Sequence, residues 1–288
     1  MARGTALVSF TTGVVGSVVA AALLRGRPPG GVGRWTRTNH AGRPVTLFEG
    51  PAYAAGAVAG ALAGGAGSPA VVAGLGAAAF GALDDLIDDS SAKGLRGHLG
   101  AICRGEVTTG TIKVLGLAAT GLVSARMIDR SRGSNGLGAT VVGGALIAGS
   151  ANIANLLDLR PGRALKVVLL LAAPIAAGAA MTDPDTASLT ATATAGAAAG
   201  AAIGSLADDL AGRSMLGDTG ANSAGALLGS ALVARFGLRG RLVGLAAVTA
   251  LTLASEKVSF TKVIEATPGL RELDALGRPW CSSPTSSQ

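Results

Sequence analysis

The stretch "FGALDDLIDDSSAKG" (Phe80–Gly94) places four carboxylates directly behind a long run of Ala, Gly, Val and Leu. A single Asp at the centre of a membrane helix costs roughly 2.5–3.5 kcal/mol on insertion scales. Acids four residues apart on a helix also repel one another. The stretch therefore predicts the end of an apolar helix, where water, basic partners or a metal ion offset the charge of Asp84, Asp85, Asp88 and Asp89.

Composition predicts a membrane protein. Of the 288 residues, 49% are hydrophobic and only 14% are charged, and the mean hydropathy is +0.50. Soluble domains carry about a quarter charged residues. The apolar residues come in blocks of roughly 17–22, long enough to cross a hydrocarbon core. We therefore expect an all-α fold, a polytopic integral membrane bundle over residues 1–255 with a cytoplasmic tail at 256–288.

Nine transmembrane helices are predicted from these blocks, and Lys and Arg set their orientation. The longer connecting segments carry about 16 Lys and Arg, and the opposite side carries about seven. The positive-inside rule then places the N-terminus outside and the C-terminus in the cytoplasm. The net charge of +7 is assigned to these loops, so no nucleic-acid partner is expected. Cys103 and Cys281 have no framework spacing that implies a disulfide. The predicted spans are 5–24, 50–67, 69–86, 109–126, 136–153, 164–180, 186–206, 218–235 and 241–255.

Three polar clusters fall on the same predicted cytoplasmic face, which indicates a single site there. They are "DDLIDD" after span three, "NIANLLD" after span five and "DDLAGRSMLGD" between spans seven and eight. Four acids at one helix end favour a hard cation, and magnesium takes one or two carboxylates plus substrate phosphates. The plain alternative is a solvated helix end. An ion path is a further alternative, but these acids lie at span ends, and no span centre holds an ionisable residue apart from Lys113 near the start of span four.

The second and third clusters offer ligands of other kinds. Asn152, Asn155 and Asp158 recur at i, i+3 and i+6, so one side of a helix presents two amides and a carboxylate. Arg160 and Arg163 then supply fork-shaped donors suited to phosphate, or serve only as topogenic charges. Asp218 begins span eight, where an Asp can cap the helix and where free N–H groups favour anions.

Together these segments resemble the polyprenyl-phosphate N-acetylhexosamine-1-phosphate transferase family, which includes phospho-MurNAc-pentapeptide translocase and the GlcNAc-1-phosphate transferases. "GALDDLIDD" is similar to the family's acidic pair after a span. "NIANLLD" and "MLGDTGAN" are similar to its Asn-x-x-Asn-Leu-x-Asp and Met-Gly-Asp-Thr-Gly-Ser stretches. "RTNHAGRPVTLFEG" occupies the place of its first cytoplasmic loop. The resemblance covers about residues 25–230.

The resemblance implies a magnesium-dependent glycosyltransferase of the plasma membrane, acting in cell-wall biogenesis with its active site on the cytoplasmic face. A polyprenyl phosphate would attack the β-phosphate of a UDP-sugar, releasing UMP and leaving a sugar diphospholipid. Membrane lipids are the other expected partners, and a homodimer is left open. The resemblance implies Asp84 or Asp85 as the base or lipid-phosphate partner, Asp218 as a magnesium ligand, and Asn152, Asn155, Asp158 and Lys93 as substrate-binding residues. The chemistry of the clusters adds further candidates. With them, the expected catalytic residues are Asp84, Asp85 and Asp218, the expected metal ligands are Asp85, Asp218 and Asp88, and Arg160 and Arg163 join the expected substrate-binding residues.

The chain departs from the family pattern in two places. The family continues its Asn motif as Asp-Gly-x-x-Gly, whereas this chain reads "DLRPGR". The family's later His-rich motif is missing, and "SEKVSFTKVIEATPGLRELDALGRP" stands in its place, either to contact substrate or to lie on the membrane surface. These departures keep a second hypothesis open, a catalytically inactive family member that binds the lipid carrier or acts as a scaffold.

Overall fold

The computed structural model describes residues 2–39, 42–87, 109–134, 136–180 and 185–278. Two of the predicted site residues, Asp88 and Lys93, lie outside these ranges. The described chain is helical apart from one short hairpin. Its helices are α1 (Ala2–Gly26), α2 (Glu49–Ala63), α3 (Ser68–Leu86), α4 (Thr109–Ser131), α5 (Leu137–Leu157), α6 (Arg163–Ala180), α7 (Thr186–Leu210), α8 (Gly217–Arg235), α9 (Leu238–Ser255), α10 (Phe260–Ala266) and α11 (Leu270–Ala275).

Each predicted apolar segment coincides with one of the helices α1–α9 to within a few residues. Among the described residues, six helices are long and apolar enough to cross a membrane: α1, α3, α4, α5, α7 and α9. The all-α prediction is confirmed, and the six helices are consistent with a multi-pass membrane protein.

The hairpin was not predicted. Strands β1 (Thr36–Thr38) and β2 (Pro44–Thr46) pair antiparallel after a 3-10 turn at Val32–Trp35. The ring of Trp35 lies 5.8 Å from that of Phe48, which anchors the hairpin against the bundle. Beyond the hairpin, Met215 N–H donates to the Thr46 carbonyl at 3.0 Å. The segment between α1 and α2 is thereby held against the chain that leads into α8.

Small residues allow the helices to pack closely. Helix α7 is the most buried of the six candidate spans, with 78% of its apolar window buried, and it packs against α1, α2, α6 and α8. At the crossing of α1 and α2, a Cβ added to Gly60 would lie 2.9 Å from the Gly13 nitrogen. Such close backbone approach is how membrane helices gain packing energy without a hydrophobic driving force.

The two ends of the bundle differ in chemistry. At one end, Asp129 of α4 and Arg241 of α9 form a buried ion pair at 2.7 Å, and Thr140 Oγ1 donates to Asp129 Oδ2 at 2.8 Å. At the other end lie the last turns of α1, α3, α5 and α7 and the first turn of α8. That end contains all three polar clusters, as far as the structure describes them.

Candidate functional site

Two carboxylates at the polar end share one ammonium group. Lys113, in the first two turns of α4, lies 3.3 Å from Asp84 Oδ2 and also forms an ion pair with Asp218 Oδ2. Asp84 comes from the last turn of α3, and Asp218 comes from the first turn of α8. All three side chains are mostly buried but keep some contact with solvent. Three helices therefore supply one charged centre, which we call the Asp218 centre.

Asp85 caps helix α8. Its Oδ1 accepts from Asp218 N–H at 3.0 Å, and its Oδ2 accepts from Thr219 N–H at 2.8 Å and from Thr219 Oγ1 at 2.6 Å. Gly217 has φ +58°, and a Cβ there would lie 3.0 Å from both Asp85 oxygens. The carboxylate thus satisfies free N–H groups at a helix start, where negative charge is also favoured by the helix dipole.

A cavity of about 280 Å³ opens onto the Asp218 centre. Asp84, Asp85 and Asp218 line it on the acidic side. Arg37 lines it from β1, and its guanidinium donates to the Asp85 carbonyl oxygen. The rest of the lining consists of Leu47, Ile87 and Met215. The cavity lining thus combines acidic oxygens with one cationic side chain, Arg37, and Lys113 pairs with two of the lining carboxylates.

A second cavity, of about 150 Å³, lies beside the first and shares Met215 with it. We call it the Asp158 cavity, because Asp158 and Asp209 line it, together with Arg160 and Ser214. Asp209 Oδ2 accepts from Gly162 N–H at 2.9 Å. Behind the cavity, buried Glu49 accepts a hydrogen bond from Ser214 Oγ at 2.6 Å, and its Oε1 has no protein partner among the described residues.

Asp158 is held in an environment that disfavours its charge. It follows α5 directly, and its Oδ2 is buried without a hydrogen-bond partner in the described chain. Burial raises the pKa of Asp158 well above the ordinary value, and the neighbouring Asp209 carboxylate raises it further. Asp218 and Asp85 add smaller effects in the same direction, so the two cavities are electrostatically linked.

Of the other predicted substrate-binding residues that the structure describes, one lines a cavity and the rest do not. Asn152 and Asn155 are half-buried on α5, and neither lines either cavity. Arg160 lines the Asp158 cavity, with Glu265 at 3.1 Å. Arg163 is buried against the C-terminal tail, where Asp274 accepts from its guanidinium at 2.8 and 3.0 Å. Its proposed phosphate-binding donors thus have intramolecular partners.

Several residues of the site were not among the predicted ligands. The sequence pointed to Lys113, because it lies near the start of predicted span four while the other span interiors carry no charged residue. Arg37 and Glu49 lie within "RTNHAGRPVTLFEG", and Asp209 lies within "DDLAGRSMLGD", but the sequence does not distinguish these residues from their neighbours in either segment. Their roles depend on contacts with distant segments, such as Glu49 with Ser214.

The Asp218 centre contains carboxylates of the kind that bind magnesium. In the part of the chain that the structure describes, no group of three or more His, Cys, Asp or Glu residues lies close enough to enclose a metal by itself. A magnesium ion that binds substrate phosphates needs only one or two protein carboxylates. Asp84 and Asp218 already converge on one cation, the ammonium of Lys113. Asp84 and Asp218 are therefore the described residues that could supply protein ligands to a phosphate-bound magnesium ion.

Asp85→Ala is expected to lower the stability of the protein and the transferase turnover that we propose for this site. Loss of an N-cap costs about 0.5–2 kcal/mol, and the released helix start would carry Asp218 away from Asp84. The matched control is Asp185→Ala, because Asp185 Oδ1 caps α7 by accepting from Ser188 N–H at 2.7 Å, at the opposite end of that helix from Asp209. We expect Asp185→Ala to lower the melting temperature comparably and to leave turnover unchanged. Equal turnover in both variants would refute the positioning role of Asp85.

Asp158→Asn is expected to stabilise the protein increasingly as pH rises. Because the folded-state pKa is raised, the folded form binds more protons than the unfolded form between the two pKa values, so ionisation of Asp158 reduces stability as pH rises. The Asn variant lacks this penalty. Between pH 5 and pH 8, the melting temperature of the Asn variant should exceed that of wild type by an amount that grows as pH rises. Asp208→Asn, which removes a carboxylate paired with Arg25 and Arg213, should show no such gain. If the melting temperatures of Asp158→Asn and wild type changed in parallel with pH, the raised pKa of Asp158 would be contradicted.

No protein-family model matches this sequence, and no curated protein matches it either.

Proposed function

We propose that this protein is a magnesium-dependent membrane transferase that moves a sugar-1-phosphate from a UDP-sugar to a polyprenyl phosphate. An oxygen of the lipid phosphate forms a bond to the β-phosphorus, and the bond between that phosphorus and the bridging oxygen breaks. UMP leaves with the bridging oxygen. The proposal places the chain with the transferase family that its motifs resemble, in cell-envelope glycan synthesis.

The observation that carries the proposal is the convergence of Asp84, Asp218 and Lys113 on one point beside a cavity. Phosphoryl transfer asks little of a protein beyond positioning and neutralisation of charge. Two carboxylates and a cation from three helices supply both. Arg37 adds a second cation at the cavity wall.

Within this proposal, the carboxylates divide into two roles. Asp84 and Asp218 would hold magnesium, which would neutralise charge on the diphosphate. Asp85 positions the first turn of α8 and so orients Asp218, because its oxygens already accept three hydrogen bonds. Asp158 and Arg160 line the cavity next to the centre and would contact the nucleotide sugar. Asn152 and Asn155 stay candidates for the same contact, and Asp88 and Lys93 stay candidates for metal and substrate.

The proposal also includes nine spans, with the N-terminus outside and the polar end of the bundle at the cytoplasmic face. It is supported by the excess of Lys and Arg in the segments that connect the helices at that end. A cytoplasmic site has direct access to a soluble UDP-sugar, and the lipid phosphate reaches the same surface from the membrane.

The experiment is an assay of UMP release by purified protein with magnesium, undecaprenyl or decaprenyl phosphate, and a panel of UDP-sugars. We expect release with at least one sugar, and none when the lipid or magnesium is omitted. The second candidate, an inactive lipid-carrier-binding scaffold, is favoured by the absence of a His-rich motif, since His40 and His98 are the chain's two histidines. Saturable binding of polyprenyl phosphate without UMP release across the panel would support that scaffold and refute the transferase.

A further inference from the structure

The C-terminal tail folds back onto the bundle. Helices α10 and α11 follow α9 and lie beyond the segment that resembles the transferase family. Their inner side contacts the loop of residues 158–162, which joins α5 to α6. We call this the 158–162 loop. Glu265 of α10 pairs with Arg160 of this loop at 3.1 Å, and Arg278, just after α11, donates to the Pro161 carbonyl. Further tail contacts are made with Arg163, the first residue of α6.

The strongest contact joins Arg163 to Asp274. Arg163 Nε donates to Asp274 Oδ1 at 2.8 Å, and Nη2 donates to Oδ2 at 3.0 Å, so the pair is bidentate. Arg163 Nη1 donates to Thr261 Oγ1 at 3.0 Å. The two charged side chains are only 3% and 9% exposed. Such forked, charge-assisted pairs combine strength with a fixed geometry.

Asp274 also links the tail to the backbone of the 158–162 loop. Arg278 Nη2 lies 2.9 Å from Asp274 Oδ2, while Arg278 Nε donates to the Pro161 carbonyl at 2.8 Å. Lys166 Nζ donates to the Asp274 carbonyl at 2.7 Å. One carboxylate thus lies among three cationic side chains. Burial acts to raise the pKa of Asp274, but Arg163 and Arg278 lower it further than burial raises it, so the carboxylate stays ionised at neutral pH.

The opposite side of the 158–162 loop faces the Asp158 cavity. Asp158, Arg160 and Pro161 line that cavity, and Gly162 N–H donates to Asp209, which also lines it. A displacement of Pro161 or Gly162 would therefore alter the cavity wall. Without the carboxylate of Asp274, Arg163, Arg278 and Lys166 would repel one another next to this loop.

We propose that Asp274 is a positioning residue, which fixes the 158–162 loop through Arg163 and Arg278 and thereby sets the affinity of the Asp158 cavity for its ligand. The tail is then a structural part of the site. The identity of the ligand as a nucleotide sugar rests on the proposed function, whereas the fixing of the loop does not.

The test uses the full chain in lipid nanodiscs with Asp274→Asn and a matched control, Glu272→Gln. Glu272 lies on the same helix but is exposed and pairs with Arg271. Hydrogen exchange is read on peptides covering residues 158–162. Asp274→Asn should raise the exchange rate of these amides about tenfold and should raise the KM for the UDP-sugar about tenfold with kcat little changed. Glu272→Gln should match wild type in both. Asp274→Glu should restore part of each loss.

Unchanged exchange in Asp274→Asn would overturn the positioning role. Faster exchange with an unchanged KM would overturn the claim that the loop sets affinity. If the wild type turns over no UDP-sugar, the proposed function fails, and the exchange measurement still decides whether Asp274 fixes the loop. If Asp274→Asn does not fold, Arg163→Lys takes its place, because lysine keeps the positive charge but cannot form the bidentate pair. Hydrogen exchange of residues 158–162 and the KM for the UDP-sugar are then compared with those of Glu272→Gln. Unchanged exchange would again overturn the positioning role, and faster exchange with an unchanged KM would overturn the effect on affinity.

Discussion

Replacing Asp218 by Asn is expected to lower turnover about 10²–10³-fold, the usual loss when one preorganised charge-stabilising group is removed. Asp218 and Asp84 share Lys113, so the substitution removes one of the two carboxylates at the centre. The hydrogen bonds that cap α8 use the Asp218 backbone and Thr219, and the Asn variant retains them. The variant should therefore fold normally and lose activity in kcat, measured as UMP release at saturating magnesium.

Asp208→Asn is the matched control for this experiment. Asp208 lies at the same end of the bundle, but its carboxylate pairs with Arg25 and Arg213. Surface pairs of this kind contribute about 0–1 kcal/mol, and neither arginine belongs to the Asp218 centre. We expect wild-type turnover. If Asp218→Asn turned over as fast as Asp208→Asn, Asp218 would be removed from the catalytic site.

Gly81→Ala is expected to cause a large loss of stability through a single added methyl group. Gly81 lies on α3, one turn before Asp85, and is buried against the first turn of α8. A Cβ at this position would overlap the Asp218 carbonyl group and would lie 2.7 Å from Thr219 Cα. Backbone atoms of a packed helix cannot rotate away as a side chain can, so α8 must shift. Overpacking costs about 1–3 kcal/mol and occasionally more. We expect the upper end of this range, with loss of activity because Asp218 moves too.

Gly178→Ala provides the control, because a Cβ at Gly178 meets no atom within 4 Å. Inside α6 the alanine should be neutral or stabilising by up to about 1 kcal/mol, since glycine is the poorer helix former. Melting temperatures and UMP release for both variants measure the contrast. Similar melting temperatures for the two variants would show that α3 and α8 do not pack as closely as described.

The course of the helices could be predicted from hydropathy, because each apolar block must satisfy its own backbone in a membrane. Residues 69–86 were predicted as a span, and α3 occupies Ser68–Leu86, so Asp84 and Asp85 fall in its last turn. The position of the acidic motifs at one end of the bundle could also be predicted, because counting the spans places the segments that carry them on the same side. The hairpin could not be predicted, because its two strands have three residues each and are too short to show the alternation of polar and apolar residues that marks a strand.

The partners of the charged side chains could not be predicted in the same way. Lys113 meets Asp218 across 105 positions, and Arg163 meets Asp274 across 111. These long-range pairs depend on how the helices pack against one another, and the spacing of residues along the sequence does not determine that packing. From the sequence, Arg163 could either bind phosphate or serve only to orient the protein in the membrane. In the structure it pairs with a carboxylate of the C-terminal tail, Asp274. Likewise, Asp85 and Asp84 are adjacent and chemically identical, yet one caps a helix and the other faces Lys113.

The most direct test of the proposed transferase function is the fate of each phosphorus atom of the donor. Purified protein is incubated with polyprenyl phosphate, magnesium and UDP-sugar labelled with radioactive phosphorus at either the α or the β position, and lipid and aqueous fractions are counted. We predict that the β label enters the lipid fraction, that the α label stays in water as UMP, and that Asp218→Asn suppresses both changes. A lipid fraction that gains sugar without the β label, or gains neither with any UDP-sugar, would contradict the assignment.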